Sequence, residues 1–172
     1  GSLTKKEEWL SGGSNPIILY GYDNLGNLVN ETDPNGYATK YVYGIRDLTN
    51  TFIDGIINAK GHITNYNYDL GTGNTLWEID SNGFVTNYTY DTFGRKLTET
   101  LPYDNETYPT VKYEYEWDGI APEEIKILRR EQNGTSNTLD EYQLYDGFGR
   151  YIQTKKEAEN SRQIVLNIYY DE

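Results

Sequence analysis

The amino-acid sequence predicts an all-β fold, an antiparallel meander of short hairpins that forms one long, twisted and curved sheet. Three observations predict it. Aromatic residues recur two positions apart, so both rings of a pair point to one face of a strand. An aspartate and a glycine then mark a turn, and this combination recurs every 21 to 28 residues, which indicates a repeat array. The aromatic residues that mark the repeats are Tyr22, Tyr43, Tyr68, Tyr90, Trp117, Tyr145 and Tyr170.

The clearest hairpin occupies residues 84–100. Tyr88 and Tyr90 share one face of its first strand. Asp91 opens the turn, because an aspartate side chain can accept hydrogen bonds from backbone amides two residues later. Gly94 closes the turn, because glycine readily adopts the positive φ that such a hairpin loop requires. The counterparts that we expect to share this positive φ are Gly26, Gly36 and Gly149.

The same unit recurs in three further copies, each of which combines tyrosine with a turn aspartate and a turn glycine. The residues of these copies are Tyr20, Tyr22, Asp23 and Gly26; Tyr66, Tyr68, Asp69 and Gly73; and Tyr145, Asp146 and Gly149. Arg95 and Arg150 follow two of the turn glycines. We expect both arginines to pair with acidic neighbours.

A second kind of turn alternates with the first. Residues 33–36 read Asp-Pro-Asn-Gly, in which the proline presets φ, Asp33 bonds forward and Gly36 suits the last position. Residues 80–83 repeat this turn with Asp80 and Gly83. Both kinds of turn reverse the chain, so consecutive hairpins add strands to a single antiparallel sheet.

The repeats divide the chain into two parts. We expect residues 1–16 to be a tag and an N-terminal lead-in, and residues 17–172 to be an array of about six repeats from a longer protein. Three stretches interrupt the regular period. They are residues 45–57, which are longer than one strand, residues 101–109, which read as a surface loop, and the charged residues 155–163, which we interpret as a long hairpin loop.

The pattern Tyr-x-Tyr-Asp-x-x-Gly-Arg-x-Leu, clearest in residues 88–97 and 142–152, resembles the YD repeat of the Rhs (rearrangement hot spot) family. That family includes bacterial polymorphic toxins, the B and C components of insecticidal toxin complexes, and the animal teneurins. The resemblance extends over residues 20–171. Residues 33–36 superficially match the autoproteolytic motif of many members, but Tyr37 replaces its leucine, so we interpret them as a turn.

The resemblance implies a function and a setting. It implies a non-catalytic structural segment, an open arc in the wall of a β shell that encapsulates or displays a toxin or another C-terminal domain. The implied partners are the remainder of a longer chain and an encapsulated toxin domain. The implied location is outside the cell, either secreted or at the cell surface.

Composition limits the classes of partner. The chain has 15 Lys and Arg residues against 27 Asp and Glu, a net charge of −12. This acidic excess disfavours nucleic-acid binding, because a phosphate backbone selects basic surfaces. Cysteine is absent from the sequence, so neither disulfides nor thiolate sites can form. No apolar run approaches the length of a membrane-spanning helix, so we expect no membrane insertion.

The tyrosine pairs make one face of the predicted sheet aromatic, and this face has two interpretations. The first is that it packs against other parts of the structure. The alternative is an extracellular carbohydrate-binding or adhesion surface, because sugar rings stack on aromatic faces. The candidates for stacking on such a ligand are Trp77 and Trp117. An isolated strip would also expose apolar rings and unpaired strand edges, so we expect self-association. The alternative is that the sheet curls tightly enough for the rings to pack on each other, with insertion loops such as residues 101–109 folding inward.

The sequence predicts neither a catalytic site nor a metal or other cofactor. His62 is the only histidine in the sequence, which leaves no multi-histidine site. Each Asp turn supplies one carboxylate, whereas calcium loops need several at fixed offsets. The adjacent glutamates at positions 7–8 and 123–124 would point to opposite faces of a strand, so they make poor acid–base pairs.

Overall fold

The computed structural model describes residues 1–158 and 162–171. These residues form fourteen strands, whose order in one antiparallel sheet follows the chain, and this confirms the predicted all-β meander. The strands are β1 (Lys5–Glu7), β2 (Ile17–Tyr22), β3 (Leu28–Thr32), β4 (Ala38–Val42), β5 (Gly55–Ile57), β6 (Ile63–Tyr68), β7 (Thr75–Ile79), β8 (Val85–Tyr90), β9 (Lys96–Thr100), β10 (Val111–Glu116), β11 (Glu123–Arg130), β12 (Thr138–Tyr145), β13 (Tyr151–Ala158) and β14 (Arg162–Asn167).

Two compact units divide the chain, and the first spans Gly1–Val85. Its strands β1 to β7 pair in chain order, and β1 adds a strand from the lead-in to the edge of β2, with Lys5 opposite Leu19. A long connection joins β4 to β5. In this unit the buried positions are Asp47, Asp54 and Gly55, so its most enclosed part is a polar loop and not an apolar core.

The second unit spans Thr86–Glu172 and contains the longest strands. β11, β12 and β13 each have eight residues, and β10 pairs with β11 from Val111 opposite Arg129 to Glu116 opposite Glu124. Aromatic and β-branched side chains meet across this pair, as at Tyr113 and Ile127, a pairing that favours strand association. The buried apolar side chains among its described residues are Val111, Ile127 and Leu144.

The two kinds of hairpin differ in register. We call a turn that begins with the aspartate of a Tyr-Asp pair a YD turn. At the YD turn of residues 91–95, Tyr90 lies opposite Lys96 but Thr89 lies opposite Thr98, so Leu97 is an extra residue, a β-bulge. Similar shifts follow the YD turns at Tyr22, Tyr68 and Tyr145. β3 and β4, joined by the turn of residues 33–36, instead stay in continuous register. The aliphatic residue of the YD pattern therefore occupies a bulge.

One interpretation of the sequence is wrong. We expected the charged residues 155–163 to form a long hairpin loop, but β13 continues to Ala158 and β14 begins at Arg162. Of the expected loop, residues 159–161 lie outside the described residues, and the others belong to the two strands. The reason is that strand pairing tolerates charged side chains when these point to solvent, and Lys156 forms an ion pair across to Glu141.

Candidate functional site

Aspartate side chains stabilise both kinds of turn. Asp91 accepts hydrogen bonds on Oδ1 from the amides of Phe93 and Arg95, each at 2.9 Å. The amide of Gly94 donates to the carbonyl of Asp91 at 3.0 Å. The same pair of side-chain bonds occurs in the turns of Asp23, Asp33, Asp80 and Asp146. These carboxylates are thus engaged by the backbone of their own turns.

The turn glycines have the predicted conformation. φ is 79° at Gly94, 91° at Gly26, 86° at Gly36 and 75° at Gly149, which confirms the expectation for all four. The longer turn at Asp69 follows the same principle with one residue added, since Oδ1 of Asp69 accepts from the amides of Gly71 and Thr72. Its closing glycine, Gly73, and the closing glycine of residues 80–83, Gly83, also have positive φ.

Arg95 links the turn of residues 91–95 to the next repeat. Nε of Arg95 donates to Oδ2 of Asp91 at 2.6 Å, which confirms the predicted acidic partner. The guanidinium carbon then lies 4.3 Å from the ring centroid of Tyr115, whose strand belongs to the following repeat. The hydroxyl of Tyr115 donates back to the carbonyl of Lys96 at 2.7 Å. One repeat therefore holds the tyrosine of the next by its ring and by its hydroxyl, an arrangement that we call the repeat clamp.

The repeat clamp occurs a second time with the same spacing. Nε of Arg150 donates to Asp146 at 2.7 Å, and its guanidinium lies 4.9 Å from the ring centroid of Tyr170. The hydroxyl of Tyr170 donates to the carbonyl of Tyr151 at 2.8 Å. In both clamps the tyrosine reaches a carbonyl 19 residues earlier in the chain. The arginine of the YD pattern therefore contacts two repeats.

Charges and burial act together on the clamp residues. Burial raises the pKa of Asp91, but the amide and guanidinium of Arg95 and the amide of Phe93 outweigh it, so the pKa lies below the usual value. Burial raises the pKa of Tyr115, and the nearby Arg95 opposes that shift. Asp91 therefore stays ionised and Tyr115 stays protonated at neutral pH, as the donor role of its hydroxyl requires.

The first repeat lacks the arginine and uses a different link. Asn27 stands where Arg95 stands in the later copy. Its side-chain amide donates to Oδ2 of Asp23 at 3.1 Å and to the carbonyl of Asn50 at 3.0 Å. Asn50 belongs to residues 44–54, a loop that makes up most of the connection between β4 and β5. This shorter side chain therefore ties its turn to a loop and not to an aromatic ring.

Asp54 fixes the beginning of that loop. It is 2% exposed, and its carboxylate accepts hydrogen bonds from the amides of Ile45 at 2.7 Å and Arg46 at 3.0 Å. The amide of Asp47 lies 3.4 Å from the same carboxylate. A buried carboxylate is costly unless such donors surround it, so these amides and Asp54 stabilise one another.

Asp47 fixes the middle of the loop. It is also 2% exposed, and it accepts hydrogen bonds from the amides of Thr51 at 2.6 Å and Phe52 at 2.8 Å, and from the hydroxyl of Thr49. The Thr49 hydroxyl and these amides lower the pKa of Asp47 to about 2, against the opposing effect of burial. Sequence reasoning missed both aspartates. The feature of the sequence that could have pointed to them is the interruption of the repeat period at residues 45–57.

This loop also covers part of the tyrosine face in the first unit. The ring of Phe52 stacks on Tyr68 with centroids 5.0 Å apart, and Tyr68 stacks on Tyr66 at 6.3 Å. Burial raises the pKa of both tyrosines above the ordinary value. The face of these rings therefore packs against the protein's own loop, as the first of the two interpretations expects.

The two tryptophan candidates lie in different surroundings. Trp77 is half-buried, and the guanidinium of Arg46 lies 5.0 Å from its ring centroid. Trp117 is 53% exposed and lies edge-on to Tyr115 and Tyr145, each at 6.4 Å. Trp77 belongs to the first compact unit and Trp117 to the second. Trp117 is the one whose ring is more available to a ligand.

The described residues also bear on metal ions and membranes. In residues 1–158 and 162–171, no group of three or more His, Cys, Asp or Glu side chains lies close enough together to hold a metal ion. Within the same residues, no helix has the length and apolar character needed to cross a membrane.

Comparison with known proteins gives a likeness of fold. No protein-family model matches the chain, and no curated protein matches it. Among solved structures, the crystal structure of TcdB2-TccC3-Cdc42 is similar with a TM-score of 0.58 and 18% identity. That match covers 83% of this chain and 7% of the other, so the chain spans a small part of the protein it resembles. The likeness agrees with the resemblance to YD-repeat proteins found in the sequence.

Weaker likenesses involve related assemblies. The crystal structure of TcdB2-TccC3 without the hypervariable C-terminal region has a TM-score of 0.48 and 14% identity, covering 90% of this chain and 10% of that chain. A structure of the Photorhabdus luminescens Tc holotoxin pore has a TM-score of 0.45 and 12% identity, covering 95% of this chain and 11% of that chain.

Proposed function

We propose that this chain is a non-catalytic structural segment of a YD-repeat protein, part of the wall of a β shell that encapsulates or displays a toxin or another C-terminal domain. The observation that carries the proposal is the likeness in fold to a TcdB2-TccC3 chain, over 83% of this chain. The repeat clamp supports it, because a wall made of hairpins needs contacts that fix each repeat against the next.

The contacts of the turn carboxylates and arginines support the same role. Hydrogen bonds of the turn carboxylates go to the protein's own backbone, and the clamp arginines go to aspartate and aromatic rings. In this proposal these groups hold the hairpins together. In this proposal the partners are the remainder of a longer polypeptide and its enclosed domain, and the location is secreted or at the cell surface.

The test uses the intact natural protein that contains this segment. Electron cryomicroscopy should place strands β2 to β14 in the wall of a closed shell, with a separate polypeptide inside. Limited proteolysis should leave that enclosed polypeptide intact until the wall is unfolded. A segment that projects from the particle as a free module, with no enclosed chain, would contradict the proposal.

A second candidate function is carbohydrate binding through Trp117. The observation that favours it is the half-exposed ring, flanked by Tyr115 and Tyr145 and 5.5 Å from the guanidinium of Arg95. Glycan-array binding should then disappear in Trp117→Ala and persist in Trp77→Ala, a control whose ring is covered by Arg46. Equal signals from the wild type and both variants reject this function.

A further inference from the structure

The outer edge of β14 presents backbone groups that pair with no strand of the described residues. In the sheet order β14 comes last, and it pairs with β13 alone. The amide of Ile168 donates to the carbonyl of Ile152 at 2.8 Å, so the backbone groups of Ile168 point toward β13. Backbone groups alternate between the two sides of an antiparallel strand. Those of Gln163, Val165 and Asn167 therefore point outward, to the free edge.

The repeat array contains a counterpart of this edge that is covered. β10 pairs with β9 in the same register that β14 keeps with β13. Val111 lies opposite Glu99 in the first pair, and 55 residues later Leu166 lies opposite Thr154 in the second. The outer edge of β10 is occupied by β11, an antiparallel strand of eight residues. An edge of this kind is therefore one that an antiparallel strand covers.

Covering the edge satisfies its backbone and buries its side chains. On β10, the carbonyl of Thr110 accepts from the amide of Arg130 on β11 at 2.8 Å, and Val111 is 8% exposed. At the counterparts on β14, Val165 has no strand beside it in the part of the chain that the structure describes, and Leu166 is 60% exposed. The edge of β14 therefore offers hydrogen bonds and apolar side chains to one further strand.

The two end strands of the sheet differ in how they discourage pairing with another chain. β1 has three residues, Lys5–Glu7, and all three are charged. Short edge strands and charged side chains, especially lysine, oppose such pairing. β14 has six residues, among which Ile164, Val165 and Leu166 are consecutive, and its register with β13 is continuous. Of the two end strands, β14 is the one suited to pair with another chain.

We propose that the outer edge of β14 docks β14 of a second copy of this chain, antiparallel and related by a two-fold axis, a contact that goes beyond the structural role proposed above. The register is centred on Val165, which exchanges backbone hydrogen bonds with the same residue of the other copy. Gln163 then lies opposite Asn167, and Ile164 lies opposite Leu166, so polar residues meet polar ones and apolar residues meet apolar ones. Outward-facing groups meet in about six backbone hydrogen bonds.

The charges beside this edge permit the contact although the chain has a net charge of −12. Residues 162–170 contain one charged side chain, Arg162, and Asp171 lies beyond the paired span. The two copies of Arg162 lie at opposite ends of that span. The two copies of Lys155, which is opposite Val165 on β13, are separated by three strand spacings, about 14 Å. This exceeds the screening length of about 8 Å at physiological salt. The other charged side chains of β13 opposite β14 are Lys156 and Glu157.

Cross-linking through introduced cysteines tests the register, because the sequence contains no cysteine of its own. Cα atoms of a hydrogen-bonded antiparallel pair are about 5.5 Å apart, a separation that a disulfide spans. Val165→Cys should therefore give a disulfide-linked dimer under mild oxidation. Gln163→Cys is the matched control, since its two copies would be about 14 Å apart, and it should cross-link at least about tenfold more slowly. Gln163→Cys combined with Asn167→Cys should link as readily as Val165→Cys.

Sedimentation equilibrium of the 172-residue chain tests the association itself. The wild type should pass from dimer to monomer on dilution, and salt should strengthen the dimer by screening the net charge. Val165→Pro removes an outward amide and keeps the amides that face β13, so it should raise the dissociation constant about tenfold or more. Lys5→Pro removes an outward amide from β1 in the same way and should leave the dimer unchanged.

Three results overturn the proposal: a monomer at every concentration, a dimer that survives Val165→Pro, or cross-linking through Gln163→Cys as fast as through Val165→Cys. Faster cross-linking through Leu166→Cys than through Val165→Cys would overturn the register. A monomer that binds a synthetic peptide of residues 123–130, the sequence of β11, would also overturn the proposal, because it would assign the edge to a strand from another repeat and not to a second β14.

Discussion

The loop of residues 44–54 in the first unit and the turn of residues 91–95 in the second unit use the same chemistry in different surroundings. In both, a carboxylate accepts hydrogen bonds from backbone amides of a short segment. Asp54 is 2% exposed, whereas Asp91 lies near the surface and also pairs with Arg95. When a buried carboxylate is removed its donors have no substitute, but water can replace one near the surface.

The largest expected effect comes from removing the buried carboxylate. Asp54→Ala should lower the free energy of unfolding by about 2–4 kcal/mol, because the amides of Ile45 and Arg46 lose a charged acceptor that is itself only 2% exposed. Urea unfolding measures the change. Asp91→Ala should cost distinctly less, because water can solvate the amides that it leaves, and equal losses in the two variants would contradict the comparison.

The next effect concerns the turn backbone. Gly94→Val should cost about 1–2 kcal/mol, because φ is 79° at this position and a β-branched residue resists that region. Gly94→Asn provides the control, since asparagine tolerates positive φ, and its loss should be smaller. Thermal unfolding of both variants tests this expectation. A valine variant as stable as the asparagine variant would mean that the turn adopts another conformation in solution.

A smaller effect is expected from the hydroxyl of the repeat clamp. Tyr115→Phe removes the hydrogen bond to the carbonyl of Lys96 but keeps a ring for Arg95, so it should cost about 0.5–1.5 kcal/mol. Tyr113→Phe, on the same strand, is the control, because its hydroxyl has no protein partner among the described residues. In urea, Tyr115→Phe should unfold at a lower midpoint concentration than Tyr113→Phe. Equal midpoints would show that the hydroxyl of the repeat clamp does not contribute to stability.

The smallest effect is expected from the protonation of Asp47 in the loop of residues 44–54. The folded pKa of Asp47 is about 2, below the value of about 3.9 for an unfolded aspartate. The stability that ionised Asp47 contributes is therefore present above about pH 4 and is lost as pH falls toward 2. The stability difference between wild type and Asp47→Asn should be constant from pH 7 to 5 and should shrink below pH 4. Denaturant unfolding at several pH values measures this difference, and one that grows on acidification refutes the assignment.

The repeat pattern by itself determined the local structure. The spacing of tyrosines at i and i+2 predicted strands such as β2, β6 and β8, and the Asp and Gly positions predicted turns whose glycines have positive φ. These features were predictable because they depend on contacts within about five residues, where a side chain and its own backbone are always close together. The pairing of Arg95 and Arg150 with turn aspartates was predictable for the same reason.

Tertiary structure decided which distant residues these local units meet. No short-range pattern connects Arg95 with Tyr115, or Phe52 with Tyr68, although these side chains are in contact. The burial of Asp54 is likewise not visible in a short-range pattern. The extension of β13 through the charged residues up to Ala158 likewise depends on a neighbouring strand that supplies hydrogen-bond partners. The sequence determined where the chain turns, because turning is local. Only the folded sheet determined what each turn touches, because that depends on strand register and on the bulge that follows each YD turn.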